Sequence, residues 1–174
     1  LIGDGAQIVA DASGLSAGQQ LTLSSGGRIT TGADSLLRVG DAAGSADATG
    51  DIALLANGAD SGDLAALDLS GDIQAAALRL EADNGSIHMR NGDIVVGSDL
   101  DVTSDRDVAL DSTATITSEG EVALTAGRNL TVDGQIDAEG DVTLTLLGTG
   151  LQTGFVADPG DLVVTGDITS NGSI

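Results

Sequence analysis

Between residues 118 and 146, apolar side chains recur two residues apart in short segments. The segments begin at Val122, Leu130 and Val142, and small or polar residues separate them. Apolar residues two apart are typical of a β-strand with one buried face. The pattern starts again after 20 residues, because Val122 corresponds to Val142. A recurrence of this length indicates a solenoid of stacked coils.

A glycine-x-isoleucine step marks one position in each coil. The step, with alanine replacing glycine once, ends at Ile73, Ile94, Ile116, Ile136 and Ile168. We expect these isoleucines to stack into one column of the core, where β-branched side chains fit well. Ile29 fits the same step and Ile8 fits it loosely, and the 44 residues from Ile29 to Ile73 correspond to two coils.

Two further strands are predicted in each coil. One begins about six residues after each isoleucine, at Leu78, Leu100, Val122 and Val142, and the other begins at Ile87, Val108, Leu130 and Leu162. Three short strands in a coil of 20 to 22 residues predict an all-β parallel β-helix with almost no α-helix. We assign residues 1–174 to a single domain, with irregular excursions near residues 40–50, 57–63 and 147–160.

The composition is consistent with an ordered chain that has an unusual core. A net charge of −21 and 26 glycines are features of disordered proteins. However, 41% of the residues are hydrophobic, and the aliphatic ones keep a register that a disordered chain does not require. With one Phe and no Tyr or Trp, the core is expected to be thin and aliphatic.

Charge and cysteine content argue against several kinds of partner and site. Six arginines and no lysine face 27 acidic residues, so a nucleic acid or an anionic membrane surface would repel the chain. The absence of cysteine excludes disulfides and thiolate metal sites. No apolar run approaches the length of a transmembrane helix, and no signal segment follows Leu1. We expect the chain to be a piece of a longer protein, truncated at both ends.

The segment 124–144 resembles the haemagglutinin repeat of filamentous-haemagglutinin-like proteins. That repeat runs roughly leucine-x-alanine-glycine-x-x-leucine, then glycine-x-isoleucine, then glycine-acid-valine or leucine. The matching positions are Ala126, Gly127, Leu130, Gly134, Ile136, Gly140, Asp141, Val142 and Leu144. Weaker copies of the repeat cover about residues 70–117 and 161–174.

This resemblance implies a right-handed β-helix in a large exoprotein of Gram-negative bacteria, exported by two-partner secretion. It implies a structural shaft in a secreted or cell-surface adhesin that mediates attachment or biofilm cohesion. The stalk of a contact-dependent inhibition toxin is the alternative within the family. The implied partners are an outer-membrane secretion protein and a host or bacterial surface glycan, a surface protein or a matrix polysaccharide.

The excursion at residues 147–160 favours a second kind of function. It contains the only Phe and the only Pro of the chain, and insertions in repeat proteins often lie on the binding face. A module that binds a glycan or a protein through this loop would use Thr149, Gln152, Phe155 and Asp158. Phe155 also fits a plug that packs onto the coil.

No catalytic constellation is evident, and we predict that the chain is not an enzyme and needs no cofactor. The only histidine, His88, lies between Ile87 and Met89, so strand alternation turns it outward. We favour an exposed strand histidine, because no nucleophile or partner recurs beside it. Polysaccharide-cleaving enzymes usually bind sugars with basic and aromatic residues, and Lys, Tyr and Trp are absent.

Calcium is the one ion that the sequence makes a candidate. Asp99, Asp101, Asp105 and Asp107 crowd one stretch that also includes Asp111, and stacking would bring Asp72, Asp93 and Asp167 into or near one column. Stacked carboxylates repel one another unless they are solvated, protonated or bridged by a hard cation. A solvated acidic surface that keeps a long shaft soluble explains the same residues, and we favour that interpretation.

We expect millimolar calcium to leave the melting temperature unchanged, because solvated aspartates gain little from a dilute cation. Thermal unfolding followed by circular dichroism, with added calcium and with a chelator, measures this. A melting temperature that rises with calcium concentration, and does not rise with the same concentration of sodium, would assign these aspartates to a calcium site.

Overall fold

A computed structural model of the chain describes residues 3, 7–11, 20–40, 50–60, 64–148 and 160–174, with the backbone alone for residues 7–11 and 40. The described residues form seventeen β-strands, and no helix occurs among them. The strands are β1 (Gln7–Asp11), β2 (Gln20–Ser25), β3 (Ile29–Thr30), β4 (Leu36–Gly40), β5 (Asp51–Ala56), β6 (Leu67–Ser70), β7 (Asp72–Ala75), β8 (Leu78–Ala82), β9 (Ile87–Val96), β10 (Leu100–Ser104), β11 (Val108–Ser118), β12 (Val122–Ala126), β13 (Leu130–Val132), β14 (Gln135–Ala138), β15 (Val142–Leu146), β16 (Leu162–Val164) and β17 (Ile168–Ser170).

These strands form three rows. The first row is a six-stranded sheet in the order β2-β5-β8-β10-β12-β15. The other eleven strands belong to one sheet with two rows, in which β9 and β11 are long enough to take part in both. The second row is β3-β6-β9-β11-β13-β16. The third row is β1-β4-β7-β9-β11-β14-β17.

Every pairing between the described strands is parallel, and each joins a strand to its counterpart one coil further along the chain. Parallel neighbours joined by a full turn of the chain, with no helix between them, define a β-solenoid. The predicted parallel β-helix is therefore confirmed.

The predicted isoleucine column is present. Ile73 pairs with Ile94, Ile94 with Ile116, Ile116 with Ile136, and Ile136 with Ile168. The predicted starts of the other two strands also align, since Leu100 pairs with Val122 in the first row and Val108 with Leu130 in the second. The glycine-x-isoleucine step and the spacing between equivalent residues were therefore sufficient to predict the register from residue 73 onward.

The prediction that Ile29 belongs to the isoleucine column is wrong. Ile29 pairs with Leu67 in the second row, whereas Leu37 pairs with Ile73 and takes the place in the column. Ile8 does stand in that column, because it pairs with Leu37. The 44 residues from Ile29 to Ile73 are thus not two coils, since the amino-terminal coils contain longer connections than the 20-residue repeat.

Coil length is regular in the middle of the chain and longer before it. The coils from Leu78 to Leu100 and from Leu100 to Val122 each take 22 residues, and the next, to Val142, takes 20. The coil from Ile52 to Leu78 takes 26. The coil of β5, β6 and β7 and the coil of β12, β13 and β14 each have three separate strands, whereas in β9 and β11 the second and third strands join, with a bulge beyond Leu110.

The core is aliphatic, as its composition requires. Along β12 and β14 alternate residues are buried, and the largest fully buried side chains are leucines, isoleucines and one methionine. Ile116 and Met89 are 0% and 1% exposed. Since neighbouring coils lie about 4.8 Å apart, each of these side chains contacts equivalent side chains above and below it.

Glycine lets successive coils approach closely at the corner between the second and third rows, where Ala114 replaces it in one coil. At Gly134 a Cβ atom would clash with the carbonyl oxygen of Ala114, and at Gly166 it would clash with that of Gly134. Gly92 has a φ of 100°, a conformation that other residues rarely adopt. The glycine of the glycine-x-isoleucine step therefore permits two coils to approach closely.

The predicted excursions lie largely outside the described residues. Of the three, residues 41–49, 61–63 and 149–159 are not described, and residues 57–60 follow β5 as a loop before β6. Among the described ranges there is no helix long and apolar enough to cross a membrane.

Replacing Ile116 with alanine should lower the free energy of unfolding by about 2 to 5 kcal/mol, because it opens a cavity at a fully buried position between two coils. Urea denaturation followed by circular dichroism measures the change. The control is Thr117→Ala on the adjacent, exposed position of the same strand, for which we expect a change within about 0.5 kcal/mol. Equal effects of the two substitutions would contradict the stacked core.

Candidate functional site

A short polar residue stands directly before the second-row strand in four successive coils. These residues are Ser86, Asp107, Asn129 and Asp161. Together with Asp60 they form a group that we call the corner ladder. The chain turns here from the first row to the second, so backbone amides leave the regular strand pairing and need other acceptors.

In the corner ladder, a backbone amide donates to the side chain of the member before it. The amide of Ser86 donates to Oδ1 of Asp60 at 2.7 Å, and that of Asp107 to Oγ of Ser86 at 3.3 Å. The amide of Asn129 donates to Oδ1 of Asp107 at 3.2 Å. The amide of Asp161 donates to Oδ1 of Asn129 at 3.1 Å. The ladder is therefore unbroken from Asp60 to Asp161.

Asp60 supplies an acceptor where its coil has none at the corner. Ala66 occupies that position, directly before Leu67, and its side chain cannot accept a hydrogen bond. Oδ1 of Asp60 accepts the amides of both Ala66, at 3.1 Å, and Ser86. Its Oδ2 accepts the hydroxyl of Ser86 at 2.8 Å. A residue from the preceding loop thus completes the corner.

Two arginines bind the acids of the corner ladder. Arg128 donates from Nε to Oδ1 of Asp107 at 2.8 Å and from Nη2 to Oδ2 of the same carboxylate. Arg106 lies 3.2 Å from Oδ2 of Asp60. Both arginines are about 40% exposed, so each ion pair is modest in strength, but each joins two different coils.

Burial of Asp107 alone would raise its pKa. The hydrogen bonds and the positive charge of Arg128, together with two hydrogen bonds from Asn129, outweigh that effect and hold the pKa of Asp107 below its ordinary value of 3.8. Asp107 is therefore ionised at neutral pH, with its two oxygens occupied by donors from the next coil.

A second ion pair lies on the outer face of the second row. Arg90 contacts Asp68 through two parallel bonds, from Nε to Oδ1 at 2.5 Å and from Nη2 to Oδ2 at 3.0 Å. The side chain of Asp68 is only 3% exposed. Because a carboxylate this buried requires a partner, the pair holds β6 and β9 in one register.

The prediction for His88 needs a correction. Ile87 and Met89 are buried, so His88 does face outward, but its side chain is only 23% exposed. Its Nε2 lies 2.7 Å from Oδ1 of Asp111, which belongs to the next coil. The partner follows the bulge beyond Leu110, where the register between β9 and β11 shifts, and the repeat pattern does not reveal that shift.

The four aspartates named as calcium candidates do not converge on one point. Asp99 accepts the amide of Glu121 at 3.0 Å, and Asp101 accepts the hydroxyl of Thr103 at 3.3 Å. Asp105 is exposed, and Asp107 binds Arg128. Within the described residues, no three acidic or histidine side chains are grouped so that they could hold a metal ion.

The aspartates of the third-row column avoid repulsion in another way. Asp93 is in register with Asp72, and its amide donates to Oδ1 of Asp72 at 3.0 Å. Asp167 belongs to the same column, but Thr115 and Gln135 lie between it and Asp93. Asp72 therefore accepts a backbone amide of the next coil, and Asp93 accepts the hydroxyl of Thr115 in the coil after it.

The residues of the predicted binding loop, Thr149, Gln152, Phe155 and Asp158, lie outside the described part of the chain. Elsewhere the surface has shallow depressions of about 170 and 200 Å³. The first adjoins the corner ladder and is lined by Asp60, Leu64, Ala65, Ser86, Ile87, His88, Asp107 and Ala109. These volumes are below the roughly 300 Å³ at which pockets for small molecules begin.

The corner ladder was missed by sequence reasoning, although a signal was present. A short acceptor residue precedes the second-row strand in these four coils, just as glycine precedes most of the isoleucines, but three different residue types (Ser, Asp and Asn) conceal the repeat.

Comparison of the chain with protein-family models, with curated proteins and with solved structures finds no match. The corner ladder binds one coil to the next, and its hydrogen-bond donors and acceptors are largely satisfied by each other.

Replacing Asp107 with asparagine should lower the free energy of unfolding by about 1 kcal/mol at pH 7, because the charge is lost while one acceptor oxygen is kept. The folded-state pKa of Asp107 is lowered, so its contribution is present above the unfolded-state pKa of about 3.9 and is lost as the pH falls through the folded-state value. The difference between the two proteins should therefore shrink below about pH 4.

Urea denaturation at several pH values measures this difference. Asp105→Asn is the matched control, since Asp105 is exposed and lies two residues away. If the Asp107 variant matched the Asp105 variant at pH 7, the ion pair with Arg128 would contribute nothing to the stacking of coils.

Proposed function

We propose that the chain is a shaft segment of a large secreted or cell-surface bacterial adhesin or exoprotein. The observation that carries the proposal is the continuous first row, in which six strands pair in parallel register from β2 to β15. In such a stack each coil contacts only its neighbours, so the rod can be lengthened without changing its cross-section. The six strands span about 24 Å at the usual strand spacing.

The polar contacts support the same function. The corner ladder, Arg90 with Asp68, and His88 with Asp111 all connect different coils. A rod that transmits force along its axis needs such connections. The hydrophobic effect that holds the apolar core together has no preferred direction, so it does not fix the position of one coil on the next. The adhesin and two-partner secretion parts of the proposal rest on the resemblance of residues 124–144 to haemagglutinin repeats.

A coil duplication tests the shaft directly. Inserting a second copy of residues 122–141 after Asp141 creates the same Asp–Val junction as the native link between Asp141 and Val142. We expect the variant to fold and to lengthen by about 4.8 Å, one strand spacing. Small-angle X-ray scattering measures the length, and circular dichroism measures the β-structure.

The control inserts only residues 122–131, which places every following strand half a coil out of phase. We expect this variant to lose stability, because apolar residues no longer align with their counterparts. A full-coil variant that unfolds, or that keeps the original length, would contradict the shaft.

Binding assays separate a shaft from a module that recognises a ligand itself. The fluorescently labelled chain is applied to a glycan array and to mammalian and bacterial cells, with and without residues 149–158. A shaft predicts no saturable binding by either protein. Saturable binding that is lost on deletion, with the β-structure retained, would instead assign recognition to the 147–160 loop.

A further inference from the structure

The sequence contains three asparagines in the pattern asparagine-x-serine or threonine. They are Asn84, followed by Ser86, Asn129, followed by Thr131, and Asn171, followed by Ser173. This pattern is the acceptor of N-linked sugars in exported proteins. A transferase also needs access to the asparagine amide and the hydroxyl, and the structure distinguishes the three sites on this point.

Asn129 is occupied by the corner ladder. Its Nδ2 donates to Oδ1 of Asp107 at 2.9 Å, and its Oδ1 accepts the amide of Asp161 at 3.1 Å. The side chain is half-buried between two coils. A sugar attached at Nδ2 would have to fit beside the bond to Asp107, between two stacked coils.

Asn84 is exposed, but the amide and the hydroxyl that a transferase would use at this site are engaged in hydrogen bonds. Nδ2 of Asn84 donates to Oδ1 of Asn57 in the preceding coil. The hydroxyl of Ser86 donates to Oδ2 of Asp60 at 2.8 Å, and Ser86 is only 9% exposed. The hydroxyl that a transferase must recognise is therefore inaccessible in the folded chain.

Asn171 differs from both. Asn171 and Ser173 are exposed, and neither side chain makes a hydrogen bond to the described residues. The backbone around them is held, because the amide of Asn171 donates to the carbonyl of Ala138 at 3.1 Å and that of Ser173 to Oδ1 of Asp141 at 2.7 Å. The amide of Gly172 donates to Ser170 Oγ at 3.0 Å.

Asn171 is exposed because of its position in the coil. Glu139 and Glu119 occupy the equivalent corner position in the two preceding coils, since their amides bond the carbonyls of Ser118 and Val96 in the same way. Both glutamates are exposed although coils stack on either side of them. A group attached at this corner therefore projects away from the stacking surfaces.

From these contacts we infer that Asn171 is an acceptor for N-linked glycosylation of the folded chain. In this reaction Nδ2 of Asn171 bonds to the anomeric carbon of a sugar from a nucleotide-activated donor. The bond from that carbon to the diphosphate breaks, the nucleotide leaves, and the amide loses one proton to a base of the transferase. The sugar is neutral and hydrophilic, and it leaves the core columns untouched. This inference rests on the proposed secretion of the chain, but its test does not, because the transferase is added to the purified protein.

The test uses the full folded chain, a soluble N-glycosyltransferase and UDP-glucose, with peptide mapping by mass spectrometry over time. Synthetic peptides that span each of the three sites, incubated alongside, correct for sequence preference. After that correction we expect modification of Asn171 to be at least about tenfold faster than that of Asn129, because Asn129 reacts only after local opening breaks its hydrogen bonds.

Three variants sharpen the assignment. Asn171→Gln and Ser173→Ala should each abolish the addition of one hexose, whereas Asn84→Gln should leave it unchanged. Circular dichroism confirms that each variant retains the β-structure. Absence of modification at Asn171, in the protein or in its peptide, would overturn the inference. Equal corrected rates at Asn171 and Asn129 in the folded protein would overturn it as well.

Discussion

The fold depends on satisfying backbone amides at the corners of each coil. Along the rows, parallel pairing provides acceptors automatically, but a chain that turns twenty or so residues into a closed coil must leave that pairing repeatedly. Side-chain oxygens of Asp60, Asp107 and Asn129 accept the amides at one corner, and Asp99 and Asp72 do so at the other two. The acidic composition thus has a structural role, because many carboxylates act as acceptors that would otherwise be missing.

How well the sequence predicts this fold varies along the chain. From Ile73 to Ile136, coils of 20 to 22 residues place equivalent residues at nearly constant spacing, and after the longer coil of 32 residues Ile168 carries the same glycine-x-isoleucine step, so the column of isoleucines could be predicted correctly. Before that point the coils lengthen, and Ile29, which carries the right local motif, pairs in a different row. A local motif shows that a residue is in the core, but by itself it does not show which residue of the next coil lies above it.

The polar contacts were less predictable for a related reason. His88 contacts Asp111 where the register shifts at the bulge in β11, and Asp60 reaches its corner from a loop rather than from the repeat. Such contacts join residues that are 20 or more positions apart in the sequence and that belong to no common motif. They also make neighbouring coils non-equivalent, which matters in a stack where the apolar core alone would accept a coil in the wrong order.

The corner ladder has a polarity that the strands lack. From Ser86 to Asp161, each amide looks back to a side chain synthesised earlier, so a finished coil presents free acceptors such as Asp107 and Asn129 to the coil that follows. At this corner the carboxyl-terminal face of a coil therefore offers side-chain acceptors, whereas its amino-terminal face offers backbone amide donors. The two ends of such a stack are therefore chemically different, and a further coil meets acceptor side chains at one end and backbone donors at the other.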